Sequence, residues 1–230
     1  MAVAVPEANG VVRPSRPGHT PPVTNRVGRP GSDPDGSMRR VELTGHIGAA
    51  GFASGDRVVV GAWTSGPLGP MTDVMWARPD GERVLLAPSE PAAAFIGSVY
   101  RFDRVDVVEV AGGWHGRALA VDAGPLSIRL VVGRGWALPP RALRPAWVTR
   151  YVEGPIARLA LGVRTYGVTP TGVREWYRAD RWWPVTTGTA SVDGVDLGAI
   201  GPVDPPCRFG FSEPPTRPSV TAVRPRLVFP

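Results

Sequence analysis

The sequence predicts a mainly β (α+β) fold, a curved antiparallel β-barrel or cone with one or two short helices. Three observations carry that expectation. Gly (29) and Pro (27) take almost a quarter of the 230 residues, which favours short strands and many turns over a helical bundle. Runs such as RVVVGAW at 57–63 and LSIRLVV at 126–132 have the β-branched content and the period of strands. Pro-Asp-Gly at 79–81 and Asp-Gly at 193–194 punctuate such runs, Pro pre-setting φ and Gly accepting φ > 0. A hydrophobic content of 43% is enough for a substantial core.

Taken in order, residues 1–38 read as a Pro/Gly/Arg-rich tail. Its seven Pro and five Gly before Met38, with few large apolar residues, cannot offset chain entropy, so the tail is expected to be disordered. Met38 offers an alternative start, in which case the preceding tail is untranslated; the intact mass of the natively expressed protein decides. Residues 39–230 are then one β-rich domain. Val41–Ile47 is a first strand and GAAGFASGD a turn. Arg57–Trp63 is a strand, and SGPLGP at 65–70 breaks it. Thr72–Arg78 and Glu82–Ala87 form a hairpin about the Pro-Asp-Gly turn.

The clearest helix follows. Ser89 is its N-cap, Glu90 and Pro91 suit the first turn, and Ala92, Phe95, Ile96 and Val99 make one apolar face ending near Tyr100. Val105–Val110, Arg117–Asp122 and Leu126–Val132 form a meander. Residues 133–150, dense in Pro, Trp and Arg, read as a covering loop, and Glu153–Leu161 as a second short helix. Val173–Ala179 is a strand with Val173, Glu175 and Tyr177 on one face and Arg174, Trp176 and Arg178 on the other. RWWPVTTGTASVDG continues as another strand. The last 30 residues, with eight Pro, wrap the surface with at most one short edge strand near Val220–Val223.

All 26 basic residues are Arg, and lysine does not occur. The chain therefore has no side-chain amine with which to form a Schiff base. The net charge of +6 hints at an anionic partner, but its placement removes the hint. Residues 1–40 hold six Arg against three acids, and residues 41–230 hold 20 Arg against 17, so the folded part is nearly balanced. No nucleic-acid partner is expected. The interleaved REWYRADRWW at 174–183 can mark a single-stranded nucleic-acid platform, but Glu175 and Asp180 within it favour a strand with Arg–acid pairs and packed aromatics.

A single cysteine, Cys207, excludes an internal disulfide framework and CxxC metal sites. It reads as a buried or inert thiol. His46 and His115 lie far apart in unrelated contexts, so no metal site is expected, and no nucleotide, serine-hydrolase or zinc-protease motif occurs. No cofactor is implied. No apolar run approaches the length of a membrane span and the N-terminus lacks the regions of a signal peptide, so a cytoplasmic location without a membrane partner is the expectation. The oligomeric state stays open. Trp63, Trp76, Trp136, Trp176 and Tyr177 could wall a ligand cavity or serve as ordinary core.

SGPLGPMTD at 65–73 resembles the S-P-x-G-P-Y-x-E corner of the acetoacetate decarboxylase-like superfamily, and EPAAAFIGSVYRFDRVDVVEV at 90–110 resembles its helix-to-strand passage. The resemblance covers residues 63–132. It implies that Asp73 stands where the family has its acidic partner. Asp103 and Arg104 fall where paired lysines would be, with Arg101 as the alternative if the register shifts. Guanidinium is not a usable amine nucleophile, so the family's Schiff-base chemistry is excluded. What the resemblance leaves is a pocket for a small-molecule ligand, an organic acid or carbonyl compound. Asp73, Arg101 and Arg104 would be its polar groups, Arg acting as a carboxylate clamp, and Trp63 and Trp76 its walls. Two alternatives from other classes stand beside it: an enzyme on a small organic acid with Asp73 or Glu175 as general base, and a structural or interaction protein whose Pro-rich C-terminal segment is the contact surface.

Overall fold

The computed structural model describes residues 38–137 and 166–230. The readings for residues 1–37, most of the 133–150 loop and the helix at 153–161 lie outside the described residues. Among the described residues there is one helix, and it is too short to cross a membrane.

Among the described residues two sheets make the fold. The large one has as its main path, in spatial order, β6 (Arg104–Val107), β5 (Arg83–Ala87), β4 (Met71–Ala77), β3 (Arg57–Ser65), β2 (Thr44–Phe52), β16 (Ser219–Val223), β13 (Ala179–Val192), β9 (Leu126–Val132), β8 (Ala118–Ala123) and β7 (Val110–His115). Short strands β10 (Trp136–Ala137) and β14 (Val195–Asp196) pair with β13, and β15 (Ile200–Gly201) pairs with β2. All its pairs are antiparallel except β5 with β6. The small sheet runs β1 (Arg40–Glu42), β17 (Arg226–Val228), β12 (Arg174–Trp176), β11 (Tyr166–Val168).

The end strands of the large sheet, β6 and β7, are consecutive in sequence. Only Val108 and Glu109 separate them, and Val108 N–H bonds to Ala87 O while Glu109 O accepts from Gly124 N–H. The sheet therefore curls until its margins meet, a strongly curved half-barrel. Alternation along each strand gives it two faces. Val58, Val60, Val74, Val84 and Leu86 point inward, onto Leu119, Leu126 and Leu130. These side chains are almost completely buried, so truncating Leu86 or Leu130 to Ala should cost about 2–5 kcal/mol.

The outer face of β3, β4 and β5 is also buried. The helix α1 (Glu90–Gly97) lays Ala92, Ala93 and Ile96 on Leu85 and Ala87. Ser89 caps it, its Oγ accepting from Ala92 N–H at 3.4 Å. The C-terminal segment sets Val203, Cys207 and Phe209 on Ala49, Val59 and Ala77. The small sheet and the residues flanking its strands add Val41, Val173, Leu227 and Phe229.

Several boundaries differ from the sequence expectation for identifiable reasons. The first strand is two, β1 in one sheet and β2 in the other, divided at Leu43, whose N–H donates to Pro225 O. The stretch GAAGF belongs to β2, not to a turn. Its glycines serve close packing: a Cβ at Gly48 would meet the Leu119 side chain at 2.8 Å, and one at Gly51 would collide with Pro202 O. Val105–Val110 is likewise divided between β6 and β7. The expected C-terminal edge strand is the central strand β16, paired on both sides by β2 and β13. The Pro-rich ends that suggested an edge lie outside it, at Pro218 and Pro225.

Candidate functional site

The outer face of the β3–β4 pair carries the first half of the site. Gly61 lies opposite Asp73 and Trp63 opposite Met71, so Gly61, Trp63 and Asp73 share one side. The Trp63 indole N–H donates to Asp73 Oδ1 at 2.8 Å. A Cβ at Gly61 would sit 2.5 Å from Asp73 Oδ1 and 2.7 Å from Trp63 Nε1, so glycine makes the room for that bond. Asp73 is 2% exposed. Burial pushes its pKa up to about 7, opposed by the Trp63 hydrogen bond, which favours the charged form.

The second half comes from β12 and the segment after α1. In β12 the alternation turns Glu175 inward, 1% exposed, between Arg174 and Trp176, which face out. Tyr100 O–H donates to Glu175 Oε1 at 2.8 Å and lies 2.6 Å from the Tyr177 hydroxyl. Because the single Tyr100 proton goes to Glu175, Tyr177 donates to Tyr100, giving the chain Tyr177 to Tyr100 to Glu175. Glu175 Oε2 is buried and has no partner. Burial pushes the Glu175 pKa up to about 7, against the tyrosine hydrogen bonds. Burial also raises both phenols well above their ordinary value, and the negative charge of Glu175 adds to it. Asp73 is close enough to Tyr177 to act on it in the same direction.

A loop holds the two halves together. Thr169 Oγ1 accepts from Val173 N–H at 3.1 Å and Thr171 Oγ1 donates to Val99 O at 3.2 Å, fixing the approach of β12 to the end of α1. Between the halves is a cavity of about 40 Å³, lined by Trp63, Asp73, Tyr100, Glu175 and Tyr177 and by apolar side chains that include Met71 and Met75. Among the described residues no Arg or His lines it. That volume is well below the roughly 150 Å³ that takes benzene, so a ligand has few heavy atoms unless the adaptable methionines shift.

Of the five side chains expected at a site, Asp73 and Trp63 come together here and three do not. Trp76 points into the half-barrel core, 3% exposed, with its N–H on Asp56 Oδ1 at 2.7 Å. The period of two explains it: Trp76 is three residues from Asp73 along β4 and faces the other way. Arg104 is on the surface, ion-paired to Asp106 at 3.0 Å and Glu82 at 3.4 Å. Arg101 reaches Pro170 O at 3.1 Å, an exposed contact that holds the 169–172 turn. Neither guanidinium reaches the cavity, so the carboxylate clamp is absent. Asp103 forms a bidentate pair with Arg83, both contacts 2.8 Å, and the Arg83 hydrogen bonds hold it down to about 2.

Glu175, in the sequence only an alternative base, is central to the site, and so is Tyr100, where the sequence places the end of the helix. The alternation of Val173, Glu175 and Tyr177 was the available signal, since it set a carboxyl beside an apolar residue and a phenol. The other candidates lie elsewhere. His46 faces Trp114 and Trp183, with ring centroids 5.3 and 5.9 Å away, and burial lowers its pKa. Trp136 stacks on Trp182 and Trp176 packs on Tyr166. The Cys207 thiol is buried and pushed up to about 12 by that burial. Among the described residues no three His, Cys, Asp or Glu side chains converge as a metal site.

No family model and no curated protein matches the chain. Among solved structures it is similar to one described as structural studies of acetoacetate decarboxylase, at a TM-score of 0.37 and 12% identity over 83% of this chain and 84% of the other. It is also similar to acetoacetate decarboxylase from Legionella pneumophila, at a TM-score of 0.34 and 8% identity over 84% of this chain and 83% of the other. Similarity at this distance says nothing about the chemistry of the site.

Proposed function

We propose that the Asp73–Glu175 cavity binds a small, neutral carbonyl compound. The observation that carries the reading is the unpartnered Glu175 Oε2, buried at a cavity that Asp73 and two tyrosines also line. Leaving a buried polar atom unpaired costs about 1–3 kcal/mol, and a ligand oxygen that pairs with it recovers that cost. With Oε1 taken by Tyr100, the proton of neutral Glu175 resides on Oε2 and is free to be donated to a carbonyl oxygen. Among the described residues the lining has two carboxyls and no cation, which favours the carbonyl compound over the organic acid of the two ligand classes expected.

Ligand-observed NMR of the full chain with acetone, acetate and methylammonium tests the reading. It predicts saturation transfer to acetone at pH 6–7, lost in Glu175→Leu, which keeps the volume and removes the polar atoms. Transfer to acetate or methylammonium in place of acetone, transfer to none of them, or an unchanged acetone signal in a folded Glu175→Leu protein would overturn it.

A second reading is an enzyme. Two carboxyls brought to about 7 in one cavity have the pKa of a general acid and a general base at neutral pH.

A further inference from the structure

We propose that this cavity enolises its ligand, with Asp73 as the base that takes a proton from the carbon next to the carbonyl and Glu175 as the acid that protonates the carbonyl oxygen. The inference rests on the carbonyl-binding reading above and deepens it, since it names the substrate class: a small ketone or aldehyde that carries an α C–H.

The two carboxyls are held in different ways. Asp73 accepts an indole N–H on Oδ1, which leaves Oδ2 for the proton. Glu175 accepts the end of a two-phenol chain on Oε1 and keeps Oε2 bare, so its neutral form presents one O–H donor. When the pair holds a single proton, on Glu175 Oε2, it offers the anionic base and the neutral acid whose charges change in enolisation. Holding both groups in a buried, water-poor space strengthens their action on a developing enolate.

The step balances within the site. Asp73 Oδ2 takes the α-proton, and the electrons of that C–H bond become the C=C bond. The carbonyl π pair moves to oxygen, which takes the proton of Glu175 Oε2. The result is the enol, neutral Asp73 and anionic Glu175. Reversal after exchange of the Asp73 proton with solvent returns the ketone with one hydrogen replaced. No oxidant, reductant or second substrate is needed.

Loss of the acetone methyl proton signal in D2O, followed by NMR at saturating acetone, tests the step. The wild-type chain is expected to exchange acetone at least 10-fold faster than buffer, and Asp73→Asn to return exchange to the buffer rate. The wild-type pH profile gives a second readout should that variant fail to fold. Among the described residues the titratable groups lining the cavity are Asp73, Glu175, Tyr100 and Tyr177, so the enzymatic rate is expected to rise and then fall around neutrality as the base ionises and the acid is lost. Acetone that binds but exchanges at the buffer rate overturns enolisation and leaves the binding reading intact. A profile that only climbs with hydroxide, or full exchange in Asp73→Asn, also overturns it. Acetone that does not bind at all overturns the binding reading and this inference with it.

Discussion

The Trp63 indole donates its N–H to Asp73 Oδ1 at 2.8 Å across neighbouring strands, ten residues apart in sequence. It is the hydrogen bond the structure gives Asp73. Trp63→Phe therefore leaves a buried carboxyl with less support for its charge. The Asp73 pKa should rise further, and stability at pH 8 should fall by about 1–3 kcal/mol. Urea unfolding at pH 5 and pH 8 checks this, with the larger loss expected at pH 8, where the carboxyl is charged.

Gly61 has no side chain because none fits. In Gly61→Ala the new methyl would lie 2.5 Å from Asp73 Oδ1 and 2.7 Å from Trp63 Nε1, and Gly61 is itself buried. Overpacking of this kind costs about 1–3 kcal/mol. Chemical denaturation measures the loss, and a loss of acetone binding should accompany it because the displaced groups line the cavity.

Tyr100→Phe removes the donor to Glu175 Oε1 and breaks the phenol chain. That bond favours ionised Glu175, so the Glu175 pKa should rise in the variant. Stability should fall by about 1–3 kcal/mol. Carboxyl NMR titration gives the first effect and urea unfolding the second.

Both buried carboxyls titrate higher folded than unfolded, since burial raises them from near 4 to about 7. Between those values the folded chain holds more protons than the unfolded chain, so their contribution is fully present below pH 4 and is lost as pH rises through 7. Asp103, held near 2 by Arg83, acts in a lower window and in the opposite sense. The difference between wild type and Glu175→Gln isolates the effect. Wild type should lose stability relative to the variant from pH 4 to 7 and run parallel to it above.

Arg101 and Arg104 should be dispensable for binding. Arg104→Ala removes exposed ion pairs and should change stability by no more than about 1 kcal/mol. Arg101→Ala removes one exposed contact to the 169–172 turn, a cost of about 0.5–1.5 kcal/mol. Acetone titration of either variant should match wild type.

Local chemistry was legible in the sequence where it acts over a few residues. Ser89 capping α1, the Pro-Asp-Gly turn with Gly81 at φ 92°, and the Asp193–Gly194 turn with both φ positive follow from short-range sterics and hydrogen bonding. The Gly-Pro corner at 65–70, which brings Asp73 back beside Trp63, is local in the same way. What was not legible depends on contacts distant in sequence. Tyr100 and Glu175 are 75 residues apart, and nothing local tells Tyr100 to turn toward β12. Strand β16 is central only because β2 and β13 both reach it. The Arg clamp failed for a related reason: β6 pairs in parallel with β5 and leaves Arg104 beside Glu82 and Asp106 on the surface.

The most direct test is 13C NMR of the full chain labelled at the glutamate side-chain carboxyl, with Glu175 assigned through Glu175→Gln and titrated with and without acetone. The Glu175 resonance is expected to titrate near pH 7 and to shift when acetone is added. A resonance that titrates between pH 4 and 5 and ignores acetone would contradict it.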